Sequence, residues 1–213
     1  MSRSRLIPIV KVVVFIAALL PLVWLVWKAL HEDLGANPVE FITHATGDWA
    51  LTFLLSSLAI TPLRKIAKFS ELIRFRRMLG LYGFFYASLH LLTFVGLDHH
   101  FAWAEVLPDV YKRPFVTAGF TAWLLMVPLA LTSTTWSIRK LGGKNWQRLH
   151  RLVYFSAIAA VVHYWWLVKK DITDPLIYAV ILGVLLGFRI AAKFVGRRSG
   201  SVGSSSPVVA PRP

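Results

Sequence analysis

The chain contains no cysteine. That excludes disulfides, thiolate metal sites and cysteine-ligated iron–sulfur clusters. Charge is scarce as well: only 16% of the 213 residues are charged, against about a quarter in soluble domains. Acidic residues are scarcest, 10 against 24 Lys and Arg, for a net charge of +14. What remains is apolar. Hydrophobic residues make up 56%, with 9 tryptophans and a mean hydropathy of +0.60. They fall in blocks close to the ~20 residues that carry a helix across a bilayer. The chain therefore reads as an all-α integral membrane protein built as one bundle. Its start, "MSRSRLIPIVKVVVFIAALLPLVWLVW", resembles a signal peptide. The apolar run is too long for one and no small-x-small cleavage site follows, so it reads as a retained first span.

Six spans are expected, at about 7–30, 49–63, 78–97, 115–133, 149–168 and 175–194. Pro62 in "ITPLRK" is expected to end the second. Pro21 and Pro128 fall inside spans one and four, where neighbouring helices can satisfy the freed carbonyls. Residues 1–195 form the six-span domain. The low-complexity stretch "GRRSGSVGSSSPVVAPRP" makes 196–213 an expected disordered tail. No internal repeat is visible.

Charges sort sharply when loops are taken alternately. One side holds 19 of the 24 Lys and Arg, with Glu71 as its only acid; the other holds nine of the ten carboxylates. The positive-inside rule puts the basic side, and with it both termini, in the cytoplasm. That basic face suits anionic lipid headgroups and needs no nucleic acid to explain it. Trp27, Trp49, Trp136, Trp146, Trp165 and Trp166 fall near span ends and read as an interfacial belt.

Seven histidines remain to be placed. His31, His44, His99 and His100 lie in or beside outer loops; "DHH" at 98–100 reads as a solvated loop, and nothing near His44 assigns it a role. His90, His150 and His163 lie in or beside spans, where an ionisable residue is a functional hypothesis by default. His90 is twelve residues into span three and His163 fourteen into span five, ~18 and ~21 Å along helices of the same direction. Two imidazoles at matched depth in the outer half of the membrane have mostly apolar and aromatic neighbours, with no carboxylate expected at that level. Zinc sites usually add a third ligand and a polar surround, and a proton relay normally uses Asp or Glu. A bis-imidazole haem needs two axial nitrogens and a greasy slot, and fits best. His150 is thirteen residues from His163, ~20 Å along the helix and ~140° around it. It cannot share that iron and is a candidate ligand for a second, inner group. Arg76 and Arg77, at the inner depth of span three, are candidates for a haem propionate or a phosphate; ordinary positive-inside charge is the competing reading.

"ITPL" (60–63), "RRMLGL" (76–81), His90, "LTST" (131–134), "LGGKNWQRLHRLVY" (141–154) and "HYWW" (163–166) together resemble the ferric-reductase-like transmembrane family. Within it they are most similar to the haem-binding membrane subunits of bacterial methionine sulfoxide reductase systems. The resemblance implies b-type haem in the bacterial inner membrane, with one ring or two, and an association with FMN. It implies electrons drawn from the quinone pool or a cytosolic flavin reductase. They pass to a periplasmic molybdopterin methionine sulfoxide reductase, MsrP, which repairs oxidised periplasmic proteins. The family's haem histidines fall on His90, His150 and His163. Oxidase-type relatives carry two histidines on each of two helices, whereas span three here has one. On this reading the chain is the electron-transfer subunit rather than the catalytic one. The rivals are a stand-alone reductase of ferric iron or oxygen and a cofactor-free membrane anchor. "GVLLG" at 183–187 reads as ordinary helix packing.

Overall fold

A computed structural model describes residues 3–168 and 170–201. It is all-helical, with no strand among the described residues. The helices are α1 (Arg3–Leu30), α2 (Pro38–Ile66), α3 (Ile73–Thr93), α4 (Trp103–Lys112), α5 (Pro114–Leu131), α6 (Thr135–Leu141), α7 (Gly143–Leu149), α8 (Leu152–Leu167) and α9 (Thr173–Ser201). Among the described residues four helical stretches are long and apolar enough to cross a membrane: Ile7–Leu30, Ser70–Asp98, Pro114–Leu131 and Thr173–Phe194. This is a multi-pass membrane architecture. The tail expected from residue 196 overlaps the end of α9; residues 202–213 lie outside the described residues.

Two helices that fall short of that criterion occupy the middle. α8 has 16 residues, and α2 carries Glu40, His44 and Asp48 towards one end and Arg64 and Lys65 at the other. α2 packs along α3, and α5 packs along α8. Leu51, Leu54, Leu55 and Leu58 of α2 meet Met126 of α5, Ala157 and Val161 of α8, and Leu182 and Leu185 of α9. α1 and α9 turn apolar side chains such as Val12, Val23, Val184 and Ile190 outward, as lipid-facing helices do.

α2 is the main departure from expectation. It spans 29 residues rather than 49–63. Its start is written in "NPVE": the Asn37 side chain accepts from Glu40 N at 3.3 Å, Pro38 opens the first turn, and Glu40 favours the positive end of the helix. Nor does Pro62 end it, because the helix runs on to Ile66. Pro62 has no N–H to give the Leu58 carbonyl, and Arg189 of α9 supplies the missing donor, with Nη2 at 2.7 Å. The same guanidinium donates to Tyr154 Oη of α8 at 2.9 Å. One arginine thus holds α2, α8 and α9 together.

α1 is treated alike. Just past Pro21, the Tyr86 hydroxyl of α3 enters the α1 backbone ladder, accepting from Leu22 N at 3.2 Å and donating to Ala18 O at 2.8 Å. Tyr82 donates to Phe15 O at 2.8 Å one turn away. Both α1 and α2 are thus tied, near a proline, to a neighbour by a side chain that serves the backbone.

The short helices were not expected. α4 exposes Trp103, Leu107 and Tyr111 and buries Val106, an amphipathic element. α6 and α7 are separated by Gly142, whose φ of +73° glycine adopts without strain. α3 runs on into a π-helical turn, Phe94–Asp98, which starts four residues after His90. Gly183 and Gly187 have nothing within 4 Å of an added Cβ, so the glycines of "GVLLG" face away from the neighbouring helices while Leu185 between them packs in the core.

Candidate functional site

His90 of α3 and His163 of α8 come together, with ring centroids 5.9 Å apart and planes at 77°. Both line one cavity of about 460 Å³, within the size range of cofactor sites. Its inner walls are apolar, including Leu51, Leu54, Met126 and Ala160.

The two imidazoles are held by the same device. His90 Nδ1 lies 2.9 Å from the Thr43 carbonyl of α2. His163 Nδ1 lies 2.6 Å from the Phe115 carbonyl of α5. A carbonyl only accepts, so each Nδ1 carries the proton and each Nε2 carries a lone pair. Neither Nε2 makes a hydrogen bond among the described residues. This is the arrangement of metal-ligating histidines, whose second nitrogen is fixed by a backbone carbonyl.

Four residues after each carbonyl stands a glycine. A Cβ on Gly47 would lie 3.1 Å from His90 Nδ1, and one on Gly119 would lie 2.7 Å from His163 Nδ1. Each ring thus rests against bare backbone, a place any side chain would fill. The pattern repeats: carbonyl at i, glycine at i+4, histidine on the partner helix, once in α2–α3 and once in α5–α8. The sequence shows no repeat because the two copies share only a glycine and a histidine, set far apart.

The cavity also corrects the expectation that no carboxylate reaches this level. Asp48 lines it, as does His44, and both also line a second cavity bounded by Trp24, Phe41 and Trp49. Glu40, His44 and Asp48 are one turn apart on one face of α2. Assigning 31–48 to a loop hid that face. Arg113 and Asp98 complete the charged lining of the main cavity. The cavity residues therefore suit a large, flat, largely apolar group that accepts two imidazole nitrogens, and the charged lining residues gather at one end.

His150 lies elsewhere. Its Nε2 is 3.1 Å from Thr132 Oγ1, and that hydroxyl gives its only proton to the Pro128 carbonyl at 2.6 Å. His150 Nε2 is therefore the donor, and its lone pair is on Nδ1. Trp146 stacks on the ring at 3.8 Å and bonds Thr132 O at 2.9 Å. It is half-buried. Arg76 is half-buried and close enough to act electrostatically on both His150 and Arg189. Arg77 is exposed. Arg189 was missed from the sequence, although an arginine within a span is a signal in its own right.

His99 is not solvated. It packs on Phe94 and sits 3.3 Å from Asp109, 3.7 Å from Glu105 and 3.9 Å from Asp98. No group of three or more His, Asp or Glu able to hold a metal ion occurs among the described residues.

Residues 43–161 match the model of the ferric reductase like transmembrane component family. That stretch takes in Thr43, Gly47, His90, Phe115, Gly119 and His150, and stops two residues short of His163. A Xanthomonas euvesicatoria protein is 50% identical over 95% of both chains. One from Herminiimonas arsenicoxydans is 53% identical over 85% of this chain and 84% of its own. One from Rhodospirillum rubrum is 50% identical over 89% of this chain and 91% of its own. All three bear the name protein-methionine-sulfoxide reductase heme-binding subunit MsrQ. No solved structure matches the chain.

Proposed function

The chain belongs to the ferric-reductase-like transmembrane family and, within it, to the MsrQ haem-binding subunits, and from that membership we propose that it carries electrons outward across the bacterial inner membrane. The recipient is a periplasmic molybdopterin methionine sulfoxide reductase that repairs oxidised proteins. The observation that carries the reading is the matched pair of carbonyl-anchored imidazoles with free Nε2 atoms on one apolar cavity.

In this reading six helices span the membrane, α1, α2, α3, α5, α8 and α9, with both termini cytoplasmic. The distribution of Lys and Arg supports that orientation. His90 and His163 would hold the haem iron through their Nε2 atoms. Bound between them, haem b supplies a one-electron carrier. Thr43 O and Phe115 O hold the tautomer that leaves Nε2 available. Leu51, Leu54 and Met126 keep water from the inner walls. Electrons enter at the cationic inner end, from the quinone pool or a cytosolic flavin reductase. There His150 with Arg76 and Arg77 suits a second haem or an FMN phosphate. The acidic outer loops favour docking of the partner by charge complementarity.

The test is a haem-to-protein ratio and absorption spectrum on purified protein, followed by anaerobic mixing of the reduced form with the partner reductase. A bis-imidazole spectrum at one haem or more per chain, reoxidised only with partner and sulfoxide present, is the expected result. Colourless, fully competent protein refutes the reading. Rapid reduction of ferric chelates without the partner would instead make it a terminal reductase, the alternative that the family match favours.

A further inference from the structure

Among the described residues, Arg113 is the only Lys or Arg lining the cavity that holds His90 and His163. It immediately precedes α5, two residues before the Phe115 carbonyl that anchors His163. Its Nη1 is 3.1 Å from Asp109 Oδ2, which His99 Nε2 approaches at 3.3 Å. Its Nε and Nη2 make no hydrogen bond among the described residues, and the side chain is 55% exposed at the cavity mouth. The other charged groups lining the cavity are Glu40, Asp48 and Asp98.

We propose that Arg113 binds a carboxylate of the ring clamped by His90 and His163, and so sets which way round that ring sits; this rests on the haem reading above. Haem b carries two carboxylates, and a carboxylate in the bilayer interior is costly unless it reaches water or a cation. His163 is four residues from the end of α8 and His90 eight from the end of the Ser70–Asp98 stretch, ~6 and ~12 Å along their helices. Arg76 lies fourteen residues the other way along α3, ~21 Å off. The carboxylates therefore belong at the outer mouth, beyond the reach of Arg76 and Arg77. Glu40, Asp48 and Asp98 repel them there, and of the described lining residues Arg113 is the cation that attracts them. A guanidinium with one edge on Asp109 keeps donors for a second carboxylate, in the forked geometry that lysine lacks.

The experiment follows haem transfer from detergent-solubilised holo-protein to excess apomyoglobin, with the bis-imidazole bands recorded before mixing. Arg113→Gln is expected to keep the bands and release haem at least about tenfold faster. Arg113→Lys should fall between it and the wild type. Asp109→Asn removes the internal partner and should release haem no faster than wild type. Were Arg113 merely a tie between α4 and α5, Asp109→Asn and Arg113→Gln would accelerate release alike, and that outcome overturns the proposal. So does wild-type release from Arg113→Gln or, if that variant cannot be purified, from Arg113→Lys. Haem-free wild-type protein overturns the ligand reading as well, whereas unchanged release with haem present overturns this inference alone.

Discussion

The outer and inner ends of the bundle use histidine in opposite ways. At the outer end, two imidazoles have Nδ1 tied to carbonyls and Nε2 bare, each resting on a glycine. At the inner end, His150 has Nε2 tied to a hydroxyl and its face covered by Trp146. The outer pair is pre-set to bind, because the nitrogen that points at the cavity needs no rearrangement. The inner histidine is already engaged and would have to present Nδ1 or give up Thr132. Charge follows the same division. Three carboxylates and one arginine line the outer cavity, whereas Arg76 and Arg189 stand near His150.

The largest effect should come from breaking this comparison at its strong side. His90→Ala or His163→Ala is expected to remove most bound haem, whereas His150→Ala should leave the outer spectrum intact and slow its reduction from the cytoplasmic side. The pyridine haemochrome content of the three variants decides it; equal losses would erase the distinction. A smaller effect should separate the two halves of the outer clamp. Gly119→Ala puts a Cβ 2.7 Å from His163 Nδ1, and Gly47→Ala puts one 3.1 Å from His90 Nδ1. The first clash cannot be absorbed without moving the ring, so Gly119→Ala should lose several times more haem than Gly47→Ala. Equal retention by both would show that the glycines are not what seats the imidazoles.

How much of this was legible depends on the range of the contact. Depth along a helix follows from counting residues, so His90 and His163 could be matched and His150 set apart before any coordinates. Which helices pack together does not follow from counting, and Thr43, Gly47, Phe115 and Gly119 act only through a partner helix. α2 was a different kind of miss. Asn37, Pro38 and Glu40 are local start signals, but the charged residues between 40 and 48 made the segment look like a loop. The same reading pushed Asp48 and His44 out of the membrane. Pro62 misled for the reason that makes Arg189 interesting: a proline ends a helix only where nothing replaces the lost donor.

That substitution of donors gives a third prediction, for the inner end. Arg189→Met leaves the Leu58 carbonyl without its partner and should destabilise the protein by about 1–3 kcal/mol. In a Pro62→Ala background, the introduced alanine returns an N–H to that carbonyl, and the same change should cost less. Thermal unfolding in detergent of both singles and the double measures the coupling. Strict additivity would mean that Arg189 acts through Tyr154 alone.

The smallest effect should come from Thr132, and it sharpens the comparison most. Thr132→Val keeps the shape but removes the oxygen that His150 Nε2 donates to. That bond contributes about 0.5–1.5 kcal/mol. If an inner ring is to be ligated through Nε2, the bond must first be given up. Removing it should then tighten inner haem binding by about two- to tenfold without touching the outer spectrum. Ligation through Nδ1 reverses the sign, because Thr132 then holds the ring in its working orientation and the variant binds inner haem more weakly. A haem titration monitored at the inner site reads the direction directly. Tightening would mean that the inner histidine is restrained in this conformation until its ligand arrives, and weakening that both ends of the bundle use one nitrogen to bind and the other to hold.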